Sequence, residues 1–413
     1  MAGNAVIGQS GGPTAVINQS LVGVIEALSA AQKAGKIGKI LGAKHGVRGI
    51  VNNDFLALDN LSKDLLERVA QTPSSALGST RDKPDEAYCL KIFESFKKNN
   101  ITNFFYIGGN DSADTARITA EMAKAAGVAL NVYHVPKTID NDLRTTDHCP
   151  GYGSAGKFVA LAHQGDDADN RSLPGIKINC IMGRDAGWLT AAAALARVEE
   201  NDGPHLIYLP EVDFSEERFI ADVDRVFGKL GRCIIAVSEG VRYKADDKKS
   251  LLAEKIMSGG EVDAHGNRQL SGSGALADYL TNLIKEKLGK VIEGRTGKAP
   301  KLRVRGDTFG YLQRSFPTIV SESDAFEARE CGRRAVQYSL TAPEGLSSGS
   351  VAMKRTSDSP YKIDFFPTAL SNVARQTKHM PVEWIVNGND VSAAYIKYAK
   401  PLVGPVPKPG KLF

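Results

Sequence analysis

Short apolar runs alternate along this chain with longer amphipathic stretches, and most of the runs end in a polar, often glycine-containing turn. That alternation restricts the fold most. Ala5–Ile7, Asn103–Ile107, Leu130–Val135, Ile176–Met182, His205–Leu209 and Cys233–Val237 read as buried strands. Thr14–Ala34, Asp85–Lys98, Asp114–Ala126, Gly153–His163, Ala186–Ala196, Glu216–Leu230 and Ser323–Leu340 read as helices between and after them, with a further strand after Lys301. Apolar strands alternating with helices specify an α/β chain with mostly parallel sheets covered by helices. Such sheets carry their functional loops at the carboxyl ends of strands. The polar stretch Tyr243–Gly272 reads as a surface insertion or hairpin, and Gly404–Gly410 as an irregular tail.

With 413 residues, two or three domains are expected. No apolar run approaches the ~20 residues that cross a bilayer, and Met1–Ser10 does not read as a secretory leader. Cys89, Cys149, Cys180, Cys233 and Cys331 stand singly with no CxxC pair, which argues against a disulfide framework or zinc site and for a reducing cytoplasm. A net charge of +5 suits small anions and gives no case for nucleic acid or membrane partners.

Five loops carry candidate chemistry. Gly8–Thr14 is either an anion cradle at a helix N-terminus or a tight strand-to-helix turn. Ile107–Asp114 offers two glycines, a hydroxyl and carboxylates suited to a phosphate chain with bound Mg²⁺, although Asp111 and Ser112 also suit helix capping. Pro136–Leu143 packs Lys137, Thr138, Asp140 and Asp142 after a strand. A carboxylate there could take a proton from a sugar hydroxyl while Lys137 offsets phosphoryl charge; an Asx-rich turn is the alternative. Met182–Trp188 presents Arg184, a phosphate fork or a surface ion pair. Arg303–Arg314 gathers three arginines and Tyr311 around glycines.

In this order the loops resemble the phosphofructokinase family, from about Ala5 to Arg314. The resemblance rests on Ser10-Gly-Gly12, Gly108-Gly-Asn-Asp-Ser112, Pro136-Lys-Thr-Ile-Asp-Asn-Asp142, Met182-Gly-Arg184, Ser238-Glu-Gly240 and Gly310-Tyr-Leu-Gln-Arg314. It implies two similar Rossmann-like domains with the active site in the cleft between them. The expected division is 1–150 plus about 305–360 for the phosphoryl donor, 151–304 plus part of the C-terminal segment for the sugar phosphate, and an irregular tail at 401–413.

It also implies roles. Asp140 is the expected base for the sugar 1-hydroxyl, with Lys137, Thr138 and Arg184 at the transferring group. Gly12, Arg81, Asp111 and Ser112 are expected at the donor. Thr138, Asp140, Met182, Gly183, Arg184, Glu239, Arg305, Tyr311, Leu312, Gln313 and Arg314 are expected at the sugar phosphate, and Asn110 and Asp142 at Mg²⁺. Asp111, where ATP users commonly carry glycine, together with Lys137, resembles the pyrophosphate-dependent branch. The implied reaction is reversible phosphoryl transfer from pyrophosphate to fructose 6-phosphate, by a cytoplasmic homodimer or homotetramer. Use of ATP, or a non-catalytic regulatory subunit of the same fold, are the alternatives. Many relatives have aspartate at Asn110, and the position of a subunit-lent arginine falls near Gly175, leaving Lys177 or Arg171 as substitutes.

Overall fold

The computed structural model describes residues 2–247, 250–256 and 273–412. In chain order its main strands are β1 (Asn4–Gln9), β2 (Ile40–Ala43), β3 (Phe55–Ala57), β4 (Ile101–Gly108), β5 (Asn131–Pro136), β6 (Ile176–Ile181), β7 (Leu206–Tyr208), β8 (Cys233–Ser238), β9 (Val304–Thr308), β10 (Gly349–Asp358) and β11 (Tyr361–Thr368). They fall into two units, Met1–Ser154 with Arg314–Lys378, and Ala155–Gln313 with His379–Phe413.

The first unit holds a seven-stranded sheet of order β11-β10-β5-β4-β1-β2-β3. From β10 to β2 the pairs are parallel; β3 and β11 close its edges antiparallel. β1 and β4 are buried at nearly every position, as strands covered on both faces must be. Register sets Gln9 beside Ile107 and Gly108 beside Pro136, so the loops after β1, β4 and β5 leave one sheet edge from neighbouring strands. The second unit holds a parallel sheet of order β7-β8-β6-β9. Ile181 pairs with Ser238 and Cys180 with Thr308, which brings the loops after β6, β8 and β9 to a common edge.

The alternation is confirmed, with local corrections. The helix expected at Asp114 begins at Asn110, so Asn110, Asp111 and Ser112 form its first turn rather than a loop. The helix expected over Gly153–His163 runs Tyr152–Ser172. Its polar second half, beyond the expected end, is tied down: Asp167 pairs with Arg171 and Arg232, and Asn170 donates to the Gly175 carbonyl. Ala186–Ala196 is not one helix: an α-turn at Trp188–Ala191 passes into a 3₁₀ stretch at Ala192–Ala196. Its small residues lie buried, with Gly156 closely opposed to Ala192. The hairpin β10–β11 had no sequence expectation.

The first unit extends to Lys378, beyond the expected 360. Residues 305–313 belong to the second, because β9 pairs with β6. The helix Ala393–Val403 enters the stretch expected to be irregular, which starts instead at Gly404. Much of the expected insertion Tyr243–Gly272 lies outside the described residues. All five cysteines are buried and unbridged. Among the described residues no helix is long and apolar enough to cross a membrane.

Candidate active site

Backbone geometry builds the first half of the site. Gly11 has φ +76°, in the left-handed region that favours glycine. A Cβ there would lie 3.2 Å from Lys137 Nζ, and one on Gly12 would lie 2.9 Å from an Arg314 guanidinium nitrogen. Lys137, which follows β5, is buried and donates to the Gly12 carbonyl at 2.8 Å. Burial pushes its pKa down to about 8; Asp140 and Asp142 oppose that fall, while Arg314 and Arg81 add to it. Gly12, Arg81, Lys137, Asp140, Asp142 and Arg314 are thereby gathered in the first unit. Arg314, expected among the sugar contacts, stands here beside the expected donor residue Gly12.

A strap supports Arg81. The Gly11 N–H donates to the Thr80 carbonyl at 2.9 Å and the Ser79 hydroxyl to the Gly11 carbonyl at 2.6 Å. The next residue, Asp82, is forked by Arg48 and accepts the Tyr88 hydroxyl at 2.9 Å, leaving Arg81 exposed between fixed neighbours.

After β4, a Cβ on Gly108 would overlap the Ser112 hydroxyl at 2.0 Å, so glycine is needed for the helix to start there. The Gly108 carbonyl accepts the Lys137 N–H and bonds to His134 Nε2, both at 2.9 Å. Burial lowers the His134 pKa to about 4, so the ring is neutral and donates through Nε2 while Nδ1 accepts from Ser350. In the helix's first turn, Asp111 meets Lys83 at 3.1 Å, both more than half exposed. Asn110 donates to the Gln376 carbonyl at 2.7 Å, and its Oδ1 is buried with no hydrogen-bond partner among the described residues. An oxygen so placed fits the donor type Mg²⁺ takes. No cluster of three acidic, histidine or cysteine ligands occurs among the described residues, so such an ion would draw other oxygens from substrate or water.

The loop from Thr138 to Gly151 is closed on itself. Thr138 bridges Gly151 and its hydroxyl accepts the Asp140 N–H at 3.1 Å. Asn141 adopts φ +56°, and its Oδ1 accepts the Cys149 N–H. Lys378 donates its N–H to the Asp142 carbonyl and its ammonium to the Thr146 and Asp147 carbonyls. Buried His148 lies between Asp147 at 2.8 Å and Glu327 at 2.5 Å. Burial alone would lower its pKa; Glu327 and Asp147 overcome that and lift it to about 9. His134, Asn141, His148 and Lys378 escaped the sequence reading. Only Asn141, a residue type tolerant of positive φ inside an Asp-Asn-Asp run, carried a local signal.

In the second unit, the Met182 N–H donates to Gln313 at 3.2 Å, and the Gly183 carbonyl (φ +131°) accepts from Ser238 at 2.6 Å. Arg242 holds both the Arg184 carbonyl and the Asp185 carboxylate. The Glu239 N–H donates to the Ile181 carbonyl, placing that residue at the next strand end. Met182, Gly183, Arg184, Glu239 and Gln313 are therefore neighbours. Gln313 also donates to the Gly310 carbonyl, so both ends of its amide serve the protein, while Tyr311 and Leu312 are exposed. Arg305 is not brought to this loop: it pairs in register with Lys177 near the opening of β9 and β6, three residues before their loop end. It shares a cavity of about 50 Å³ with Lys177, Arg303, Asp166 and Asp169. Arg171 is engaged by Asp167 and Asp202.

Loops of this kind on paired α/β units define a sugar-phosphate phosphotransferase. The phosphofructokinase family profile matches residues 4–339, and the chain belongs to that family. It is 50% identical over 404 residues to the pyrophosphate–fructose 6-phosphate 1-phosphotransferase of Rhodospirillum rubrum, covering 97% of this chain and 94% of the relative. The enzyme of the same name from Methylococcus capsulatus is 36% identical, with 97% and 92% covered. The crystal structure of a pyrophosphate-dependent phosphofructokinase from Nitrosospira multiformis superposes with a TM-score of 0.83 at 33% identity, covering 100% of this chain and 95% of that one.

Proposed function

We propose that this chain transfers a phosphoryl group, reversibly, from pyrophosphate to the 1-hydroxyl of fructose 6-phosphate, a glycolytic and gluconeogenic step. The observation that carries the reading is Lys137, a buried ammonium held against the Gly11–Gly12 backbone with Asp140 and Asp142 acting on it. A cation so desolvated needs an anion, and a glycine-lined loop lets a phosphate approach the backbone closely. The names of the relatives in R. rubrum and M. capsulatus support the same donor and acceptor.

In this reading the sugar 1-oxygen attacks phosphorus, its proton passes to Asp140, and the bond to the bridging oxygen of pyrophosphate breaks to release phosphate. Lys137 and Arg314 neutralise the transferring group, with Thr138 beside it. Arg81, Gly12 and Ser112 hold the donor, and the carboxylate of Asp111 excludes a nucleotide. Met182, Gly183, Arg184, Glu239, Tyr311 and Leu312 meet the sugar phosphate, while Gln313 shapes their loop. Asn110 and Asp142 would hold Mg²⁺, which supplies charge neutralisation at the phosphoryl oxygens when bound. The reading includes a cytoplasmic homodimer or homotetramer in which Arg305 and Lys177, remote from their own sugar loop, serve a neighbouring copy.

The test is a donor comparison with fructose 6-phosphate and Mg²⁺. Turnover with pyrophosphate and not ATP is expected. Turnover with ATP alone would reject the donor, and none with either would reject the enzyme.

A further inference from the structure

The backbone of the loop after β6 is held at successive points. Gln313 takes the Met182 N–H, Ser238 the Gly183 carbonyl, Arg242 the Arg184 carbonyl and His379 the Asp185 carbonyl, the last at 2.9 Å. The final point is Gly187, whose N–H donates to Glu211 Oε1 at 2.8 Å. The same oxygen accepts the Met380 N–H at 3.1 Å, so one carboxylate joins the loop to the segment that returns to this unit near the C-terminus.

Glu211 is costly where it stands. Its Oε2 is sealed from solvent with no hydrogen-bond partner among the described residues. Burial lifts its pKa, and the N–H groups of Gly187, Met380 and Glu211 itself, with His379 nearby, only partly oppose the rise. Gly187 is matched to it, since a Cβ there would lie 2.6 Å from Oε2 and 2.9 Å from a Leu209 methyl. Gly240 closes the other side, with no room for a Cβ against the Arg184 carbonyl at 2.0 Å. Arg184 is thus carried on backbone fixed before it at Gly183 and after it at Gly187. A neutral side chain could fill the space under Gly187, but only an acceptor can fix that N–H and the Met380 N–H together.

We propose that Glu211 is a positioning residue for the sugar phosphate, holding the 182–188 loop so that Arg184 meets that substrate. The proposal rests on the function proposed above, and three measurements test it: the KM for fructose 6-phosphate, the KM for pyrophosphate, and calorimetric binding of fructose 6-phosphate to the full chain without donor. In Glu211→Ala the sugar KM and the calorimetric Kd rise about tenfold, as expected of a small misplacement of a substrate clamp, while the pyrophosphate KM stays within about twofold. Glu211→Gln keeps an acceptor oxygen and restores both sugar constants to within about twofold of the native chain. If the alanine variant does not fold, Glu211→Asp, too short to span both N–H groups, shows the same selective rise. An unchanged sugar Kd, equal rises in both KM values, or a fall in kcat alone would overturn the role. If the native chain binds fructose 6-phosphate without turnover, the proposed reaction fails while the calorimetric comparison still decides Glu211. If it does not bind the sugar at all, both readings fall.

Discussion

Two loops leave parallel strands at their carboxyl ends, one after β5 and one after β6, and they are supported in opposite ways. Behind the first, Thr138–Gly151, lies a buried ionic network: His148 between Asp147 and Glu327, Arg355 on Asp147, Tyr361 on Glu327, and the Lys378 ammonium on two carbonyls. Behind the second, Met182–Trp188, the supports are mainly side chains on backbone groups, with a single ion pair, Arg242 on Asp185, among them. A loop that collects Lys137, Asp140 and Asp142 around one phosphate cradle must fix charges of both signs. A rigid layer with counter-charges of its own does that, although such networks are expensive to bury. A loop that, in the proposed function, offers one arginine to a sugar phosphate needs chiefly a fixed backbone.

The contrast breaks most sharply at Asp140. Asp140→Asn keeps the shape of the loop and removes the base, so kcat should fall by ~10³ with both KM values within a few-fold. If kcat held, the ionic layer would be serving stability alone. The next test is Lys137→Met, where loss of a cation at the transferring group should lower kcat/KM for pyrophosphate by ~10². Its sign with pH is set by its lowered pKa: Lys137 is charged below about 8 and neutral above. The kcat/KM for pyrophosphate in the native chain should therefore decline as pH rises through about 8, and in Lys137→Arg that decline should move to higher pH. Arg184→Ala, on the other loop, should raise the sugar KM and leave this pyrophosphate profile in place.

Local signals made half of this comparison legible. An apolar run ending in glycine and polar residues marks a strand end wherever it occurs, so Gly8–Thr14, Ile107–Asp114, Pro136–Leu143 and Met182–Trp188 could be read directly. Their supports could not, because they come from far along the chain: Ser350 is 216 residues from His134, and Glu327 is 179 from His148. The place of Arg305 within its own unit was hidden for a related reason. Its neighbourhood in sequence suggests a place beside Arg314, yet β9 carries it to the opposite end of the strand from the loop. The second half of Tyr152–Ser172, beyond the expected end at His163, is polar, and its ion-pair partners, such as Arg232, are also distant.

The ionic layer itself can be tested through stability. The His148 pKa is raised in the folded chain to about 9 from an ordinary 6.5. Its contribution is therefore complete below about 6.5 and is lost as pH rises through about 9. His148→Gln should lower the denaturation free energy by on the order of 2 kcal/mol at pH 6 and by much less at pH 9.5, so the two unfolding curves converge with rising pH. A constant difference across that range would mean that the imidazole acts by packing alone.

The smallest expected effect concerns Asp111, at the exposed edge of the charged half. Its carboxylate meets Lys83 at 3.1 Å with both groups more than half in solvent, where an ion pair contributes about 0–1 kcal/mol. Stability should therefore be indifferent to Asp111→Gly, within about 1 kcal/mol. Donor choice should not be. Removing the carboxylate clears both volume and charge beside Gly108–Ser112, so the ratio of ATP to pyrophosphate kcat/KM should rise by about tenfold, at least part of it through better ATP use. Equal decline with both donors would show that Asp111 is needed for the helix start and not for selection. Nucleotide exclusion would then have to reside deeper, with Lys137 and the buried layer behind it.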